Sequence, residues 1–238
     1  MIPWKVFCGI LVAGLLGASQ ALAVPTFDMT VRLLGRPLGS GPGGEFLFEV
    51  TGSTVPGFEA GDQIKTFCLE RWERVQITDP PTSYEVTIND DNRALWGGMG
   101  LLGDPLDPKT AYLYSSYCSG TLDGWTNDKD SADALQYAIY SIENEMTLDL
   151  LISPAALLKA SGFLAAATGA HWTDTGNVRV MNLYYGYPGY GYCGSPYYSS
   201  AQDQLILLPP PIPAPPAVVL GLIGLGLIVQ TNVRRFFR

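Results

Sequence analysis

Cys68, Cys118 and Cys193 set the chemistry open to this chain. A fourth cysteine, Cys8, lies in an apolar run at the very front. If the front is removed on export, three cysteines enter an oxidising compartment. An odd count there leaves one thiol that is reactive, paired between molecules, or consumed in some other covalent bond. His171 is the only histidine, which excludes His-rich metal sites and makes any Cys-His hydrolase depend on a single residue. A Cys68–His171 dyad is formally open, but no protease-like segment surrounds either residue. The acidic runs Asn89-Asp90-Asp91-Asn92 and Asn127-Asp128-Lys129-Asp130 lack the spacing of a calcium loop and read as solvated turns. Trp96-Gly97-Gly98-Met99-Gly100 is a glycine loop with no following Lys-Ser/Thr, so it implies no nucleotide site. No metal and no cofactor is called for.

The elements that must position these residues follow from periodicity. Met29 to Leu34 and Glu45 to Thr51 alternate apolar and polar residues, separated by the turn-forming stretch Gly35 to Gly44, and predict two strands. Lys65 to Ile77 predicts one or two more around Cys68, and Tyr84 to Asn89 another, with Pro80-Pro81 as the connection. The middle turns helical. Asp107 caps a short helix over Lys109 to Tyr117 that opens on Pro108. A second helix starts near Asp130 or Ser131 and runs to about Met146, with Leu135, Ile139 and Ile142 on one face. A third runs from Pro154, capped by Ser153, to Thr168, where Gly169 ends it. Val178 to Tyr184 and Gln204 to Leu208 return to strand pattern. Between them lies a Tyr/Gly/Pro/Ser tract around Cys193, readable as a ligand-binding loop or as an extended linker. The fold class expected is α+β: a mostly antiparallel β-sandwich or barrel with a helical insertion of two to three helices.

The ends suggest export. Lys5, the apolar run Val6 to Gly17 and Ala21-Leu22-Ala23 have the form of a signal peptide cleaved after Ala23, making 1–23 a leader. Residues 24–208 are then one extracellular domain, 209–216 a stiff proline spacer, and 217–238 an apolar segment closed by Arg234, Arg235 and Arg238. Proline box, short apolar helix and arginine cluster in that order resemble the PEP-CTERM sorting signal of Gram-negative bacteria, with Ala214 where the family usually has Glu. The resemblance implies an exosortase-type processing enzyme as partner, a membrane contact through the C-terminal tail, and a final place at the cell envelope surface or in the extracellular matrix. An ordinary C-terminal membrane anchor is the alternative. The part between leader and tail carries ten basic and 22 acidic residues, a net charge of −12, which argues against nucleic acid as a partner.

Two segments are informative together. Thr66-Phe67-Cys68-Leu69-Glu70 on a predicted strand and Leu135-Gln136-Tyr137-Ala138-Ile139-Tyr140-Ser141-Ile142-Glu143 on the second helix resemble the signature segments of the thioester domains of bacterial surface adhesins. The resemblance implies an internal thioester between Cys68 and Gln136, supported by Tyr140 (where the family usually has Trp), Glu143 and Glu70. It also implies a function, covalent capture of an amine-bearing partner, with no enzymatic turnover. Consuming Cys68 in this way leaves Cys118 and Cys193 as a candidate disulfide. The physical requirement is positioning: a thiol held against a carboxamide can displace ammonia, and the acyl-sulfur product survives only in a dry seam between sheet and helix. The alternative reading pairs Cys68 with Cys118 in an ordinary disulfide, leaves Cys193 spare, and makes the chain a non-catalytic structural protein of an exopolysaccharide matrix.

Overall fold

The computed structural model describes residues 27–39, 43–95, 103–145, 152–187 and 197–210. The expected leader, the apolar tail, Cys193 and the glycine loop at 96–100 lie outside the described residues. The strands are β1 (Met29–Leu38), β2 (Glu45–Ser53), β3 (Gln63–Thr66), β4 (Ser83–Thr87), β5 (Arg93–Ala94), β6 (Asp104–Pro105), β7 (Val178–Tyr187), β8 (Tyr197–Ser200) and β9 (Gln204–Leu207). Three helices sit between β6 and β7: α1 (Pro108–Cys118), α2 (Lys129–Ile142) and α3 (Pro154–Gly169). This is the expected α+β architecture, an antiparallel barrel-like sheet with a helical insertion. Among the described residues no helix is long and apolar enough to cross a membrane.

The strands run in the order β3-β2-β1-β4-β7-β8, with β9 also paired to β7. Alternation decides the faces: Met29, Val31 and Leu33 of β1 and Phe46, Phe48 and Val50 of β2 turn inward and are buried, as period-two strands with one wet face require. The sheet nearly closes because the chain just past β3 meets β9. Leu69 N–H donates to the Asp203 carbonyl (2.9 Å), Leu205 N–H donates to the Phe67 carbonyl (3.1 Å), and Cys68 bridges Gln204. Closure removes an edge that would otherwise present unpaired backbone groups.

Each helix begins where its cap residue places it. Asp107 accepts from Lys109 N–H, Asp128 from Ser131 N–H, and Ser153 from Ala156 N–H. Leu135 and Ile139 of α2 are fully buried and pack with Ala156, Ala160 and Phe163 of α3 and with Leu113 of α1. A second apolar cluster fills the barrel, and Cys68 and Tyr140 belong to it, whereas Phe67 and Leu69 face the helical cluster. The segment around Cys68 is thus the seam between two cores.

Three expectations are corrected. The strand expected over Lys65 to Ile77 stops at Thr66, and apart from the single bridge at Cys68 no strand follows before β4, because Arg71 to Pro81 offers no alternation to bury. The second helix ends at Ile142, not near Met146: Asn144 takes a left-handed conformation (φ 61°), which Asn adopts more readily than most residues and which ends a helix. The strand expected over Val178 to Tyr184 runs on to Tyr187, and its last residues pair antiparallel with β8.

Leu135→Ala removes a fully buried side chain between α2 and α3, and is expected to cost about 2–5 kcal/mol of unfolding free energy. Urea unfolding followed by circular dichroism measures it.

Candidate functional site

Cys68 sits where strand pairing has been used on one side only. Its neighbours Phe67 and Leu69 bond to β9, so in the antiparallel pattern the N–H and C=O of Cys68 itself face the other way. No strand meets them. The side-chain amide of Gln136 does: Cys68 N–H donates to Gln136 Oε1 (3.1 Å) and Gln136 Nε2 donates to the Cys68 carbonyl (2.8 Å). One carboxamide supplies both an acceptor and a donor, as a neighbouring strand residue would.

A third contact completes the setting of the amide. Gly44 N–H donates to the same Oε1 at 3.3 Å, so two backbone N–H groups converge on one carbonyl oxygen in a buried site. The loop before β2 can approach this closely only because it is glycine. A Cβ on Gly43 would lie 2.3 Å from Cγ of Gln136, and Gly44 has φ 123°, a region L side chains avoid.

Around the sulfur, Gln204 Nε2 donates to Sγ at 3.2 Å, and the Tyr140 hydroxyl hydrogen-bonds the thiol. Gln202 Nε2 donates to that hydroxyl at 3.3 Å. Cys68 and Tyr140 are fully buried, and Gln136, Gln202 and Gln204 nearly so. Burial pushes the Cys68 thiol up to about 12, against the smaller opposing pull of Gln204, Tyr140 and the Arg36 charge. The sulfur therefore stays protonated at neutral pH. It differs from the depressed-pKa thiols of cysteine catalysts.

The predicted site residues separate into two groups. Cys68, Gln136 and Tyr140 come together. Glu143, one position past α2, instead accepts from Asp107 N–H (3.3 Å) and ties the end of α2 to the cap of α1. Glu70 turns its carboxylate into a cluster with Glu145 and Asp104. Cys68 and Cys118 are both free thiols, the first buried and the second exposed. The partner expected for Cys118, Cys193, lies outside the described residues. His171 is exposed in the turn after α3. Sequence reasoning missed Gly43, Gly44, Gln202 and Gln204. The polar triplet Gln202-Asp203-Gln204 opening an otherwise apolar last strand was the available signal, since such residues are buried only when something needs their hydrogen bonds.

No protein-family model, no curated protein and no solved structure matches this chain.

The Glu143 carboxyl is pushed up to about 8, chiefly by burial and further by the charges of Asp107 and Asp104, against hydrogen bonds from Thr110 and Asp107 N–H. A carboxyl raised above its ordinary value of 4.5 gives the folded chain more bound protons than the unfolded one. Its contribution is therefore full below about pH 4.5 and lost as pH rises through about 8. Glu143→Gln should flatten that slope in urea unfolding measured across the window. Glu70 and Glu145, also raised, keep part of the slope in the variant.

Proposed function

We propose that this chain is an exported surface or matrix protein whose Cys68 and Gln136 condense into an internal thioester that captures an amine-bearing partner covalently. The observation that carries the reading is the pair of backbone N–H groups, from Cys68 and Gly44, on Gln136 Oε1, with the thiol on the same residue as one of those donors.

The chemistry follows from that placement. The Cys68 sulfur adds to Cδ of Gln136, and the carbonyl electrons move onto Oε1, where the two N–H groups stabilise the developing charge. One such donor is worth about 10²–10³ in rate in acyl-transfer enzymes. The thiol proton passes to Nε2, the C–N bond breaks, and ammonia leaves. The Tyr140 hydroxyl, bonded to the thiol, lies on the proton's route. Holding the Gln136 amide against the backbone of the residue that carries the thiol supplies positioning for what is otherwise a very slow reaction. The product is walled by Tyr140 and the barrel cluster, which keeps water from it. Capture reverses the polarity: an amine nitrogen attacks the acyl carbon, an amide forms at Gln136, and the sulfur leaves with the proton. A cleft of about 360 Å³ lined by Arg36, Phe46, Arg71, Trp72 and Gln202 opens beside residues that border the thiol. A cysteine hydrolase is the weaker reading: its nucleophile needs a base beside it, and the groups around Cys68 are Gln204, Tyr140 and Arg36.

Intact mass spectrometry decides the matter. The chain should be lighter by one ammonia than its sequence requires. Methylamine should add across the bond, leaving an N-methylamide at Gln136, a free Cys68 thiol and a chain one methylene heavier than its sequence, and Cys68→Ser and Gln136→Glu should abolish both effects. Full mass with no methylamine uptake sinks the reading and leaves a non-catalytic matrix protein.

Gly43→Ala should also give full mass in a chain that still folds by circular dichroism, because the new Cβ displaces the Gln136 side chain.

A further inference from the structure

Two residues beyond Cys68, and three beyond the end of α2, a second constellation forms that the thioester does not use. One carboxylate oxygen each from Glu70, Asp104 and Glu145 lie within 4.8 Å of one another. Glu70 and Glu145 are buried, at 2% and 5% exposure, while Asp104 is only partly covered and leaves an entry. Glu70 and Glu145 share one side-chain hydrogen bond, and among the described residues the Oε2 atom of Glu70 is buried without a partner. The opposing cations are few: Arg93 acts on Asp104 and Arg71 on Glu145. A fourth carboxylate, Asp203, lies near enough to act on Glu70, and its Oδ2 accepts from Leu95 N–H at 3.0 Å.

A buried carboxylate oxygen with no donor is costly, and acids crowded together cannot all ionise. A bound cation resolves both costs at once. The donor set is all oxygen, with no thiol or imidazole, which suits a hard ion. Two oxygens on opposite sides of a calcium ion stand about 4.6–5.2 Å apart, from its ordinary ligand distances, so the spacing admits an ion of that size.

We propose that Glu70, Asp104 and Glu145 form a binding site for a hard divalent cation, of which calcium is the expected ion. The site joins the segment that carries Cys68 to the segment that leaves α2, the helix that carries Gln136. Occupancy clamps the two elements whose contact defines the Cys68–Gln136 pair.

The test is thermal unfolding and calorimetry of the full-length chain, stripped with EDTA and titrated with CaCl₂, with MgCl₂ and MnCl₂ as comparison arms. Calcium should raise the unfolding temperature by several degrees with one-site binding. Glu70→Gln and Asp104→Asn should lose that shift, and in EDTA Glu70→Gln should be at least as stable as the parent because it relieves the crowding. The same shift in Cys68→Ser keeps the result independent of the thioester. A shift with magnesium or manganese but not calcium would overturn the choice of ion. No shift with any of the three, or an equal shift in both carboxamide variants, would overturn the site.

Discussion

The structure turns on one side-chain amide standing in for a strand. Past β3 the backbone bonds to β9 through Phe67 and Leu69, which leaves the N–H and C=O of Cys68 turned toward α2 in a dry seam. Each orphaned backbone group would cost about 1–3 kcal/mol if buried unpaired. Gln136 satisfies both with donor and acceptor distances of 2.8 and 3.1 Å. The closure of the barrel and the docking of α2 therefore depend on the same contact. Removing the amide would open a gap in the sheet as well as in the site.

That contact constrains its neighbours. An amide inserted between sheet and helix leaves no room behind it, so the loop before β2 runs as Gly43-Gly44, one residue without space for a Cβ and the next in a glycine conformation. Gln204, opening β9, and Gln202, two residues before it, then supply N–H donors to the sulfur and to Tyr140. Through Cys68 the buried side chains of Gln136, Tyr140 and Gln204 join one polar set, with Gln202 bonded to the Tyr140 hydroxyl.

Much of this was legible in the sequence, and the remainder was hidden for definite reasons. The alternation of Met29 to Leu33 and Phe46 to Val50, and the caps Asp107 and Ser153, are local signals, and the strands and helices they mark are present. The strand expected through Ile77 was overdrawn because Cys68 borrows its pairing from β9, far along the chain, and a local pattern cannot report that. Glu143 was placed at the site by the resemblance of the Leu135 to Glu143 segment to the thioester signature. The helix stops before it, and its carboxylate serves α1 instead. Gly43 and Gly44 read as ordinary turn formers, since nothing nearby in sequence reveals that a glutamine from another element passes within contact of them.

The setting of the sulfur bears on what kind of chemistry it can support. A catalyst that turns over needs an exposed nucleophile, a base and a path for substrate and product in each cycle. Cys68 has no surface, a thiol held in its protonated form, and around its sulfur the Gln204 amide, the Tyr140 hydroxyl and the Arg36 charge. Those features suit the proposed thioester, in which the group would react once with a partner already built into the fold and then protect the bond formed. The same burial that makes the thiol a poor enzyme nucleophile would shield an acyl-sulfur bond from water, and the polarised Gln136 carbonyl would remain the electrophile for a later amine. In the proposed thioester, slow formation and long survival would both be consequences of the seam between the two cores.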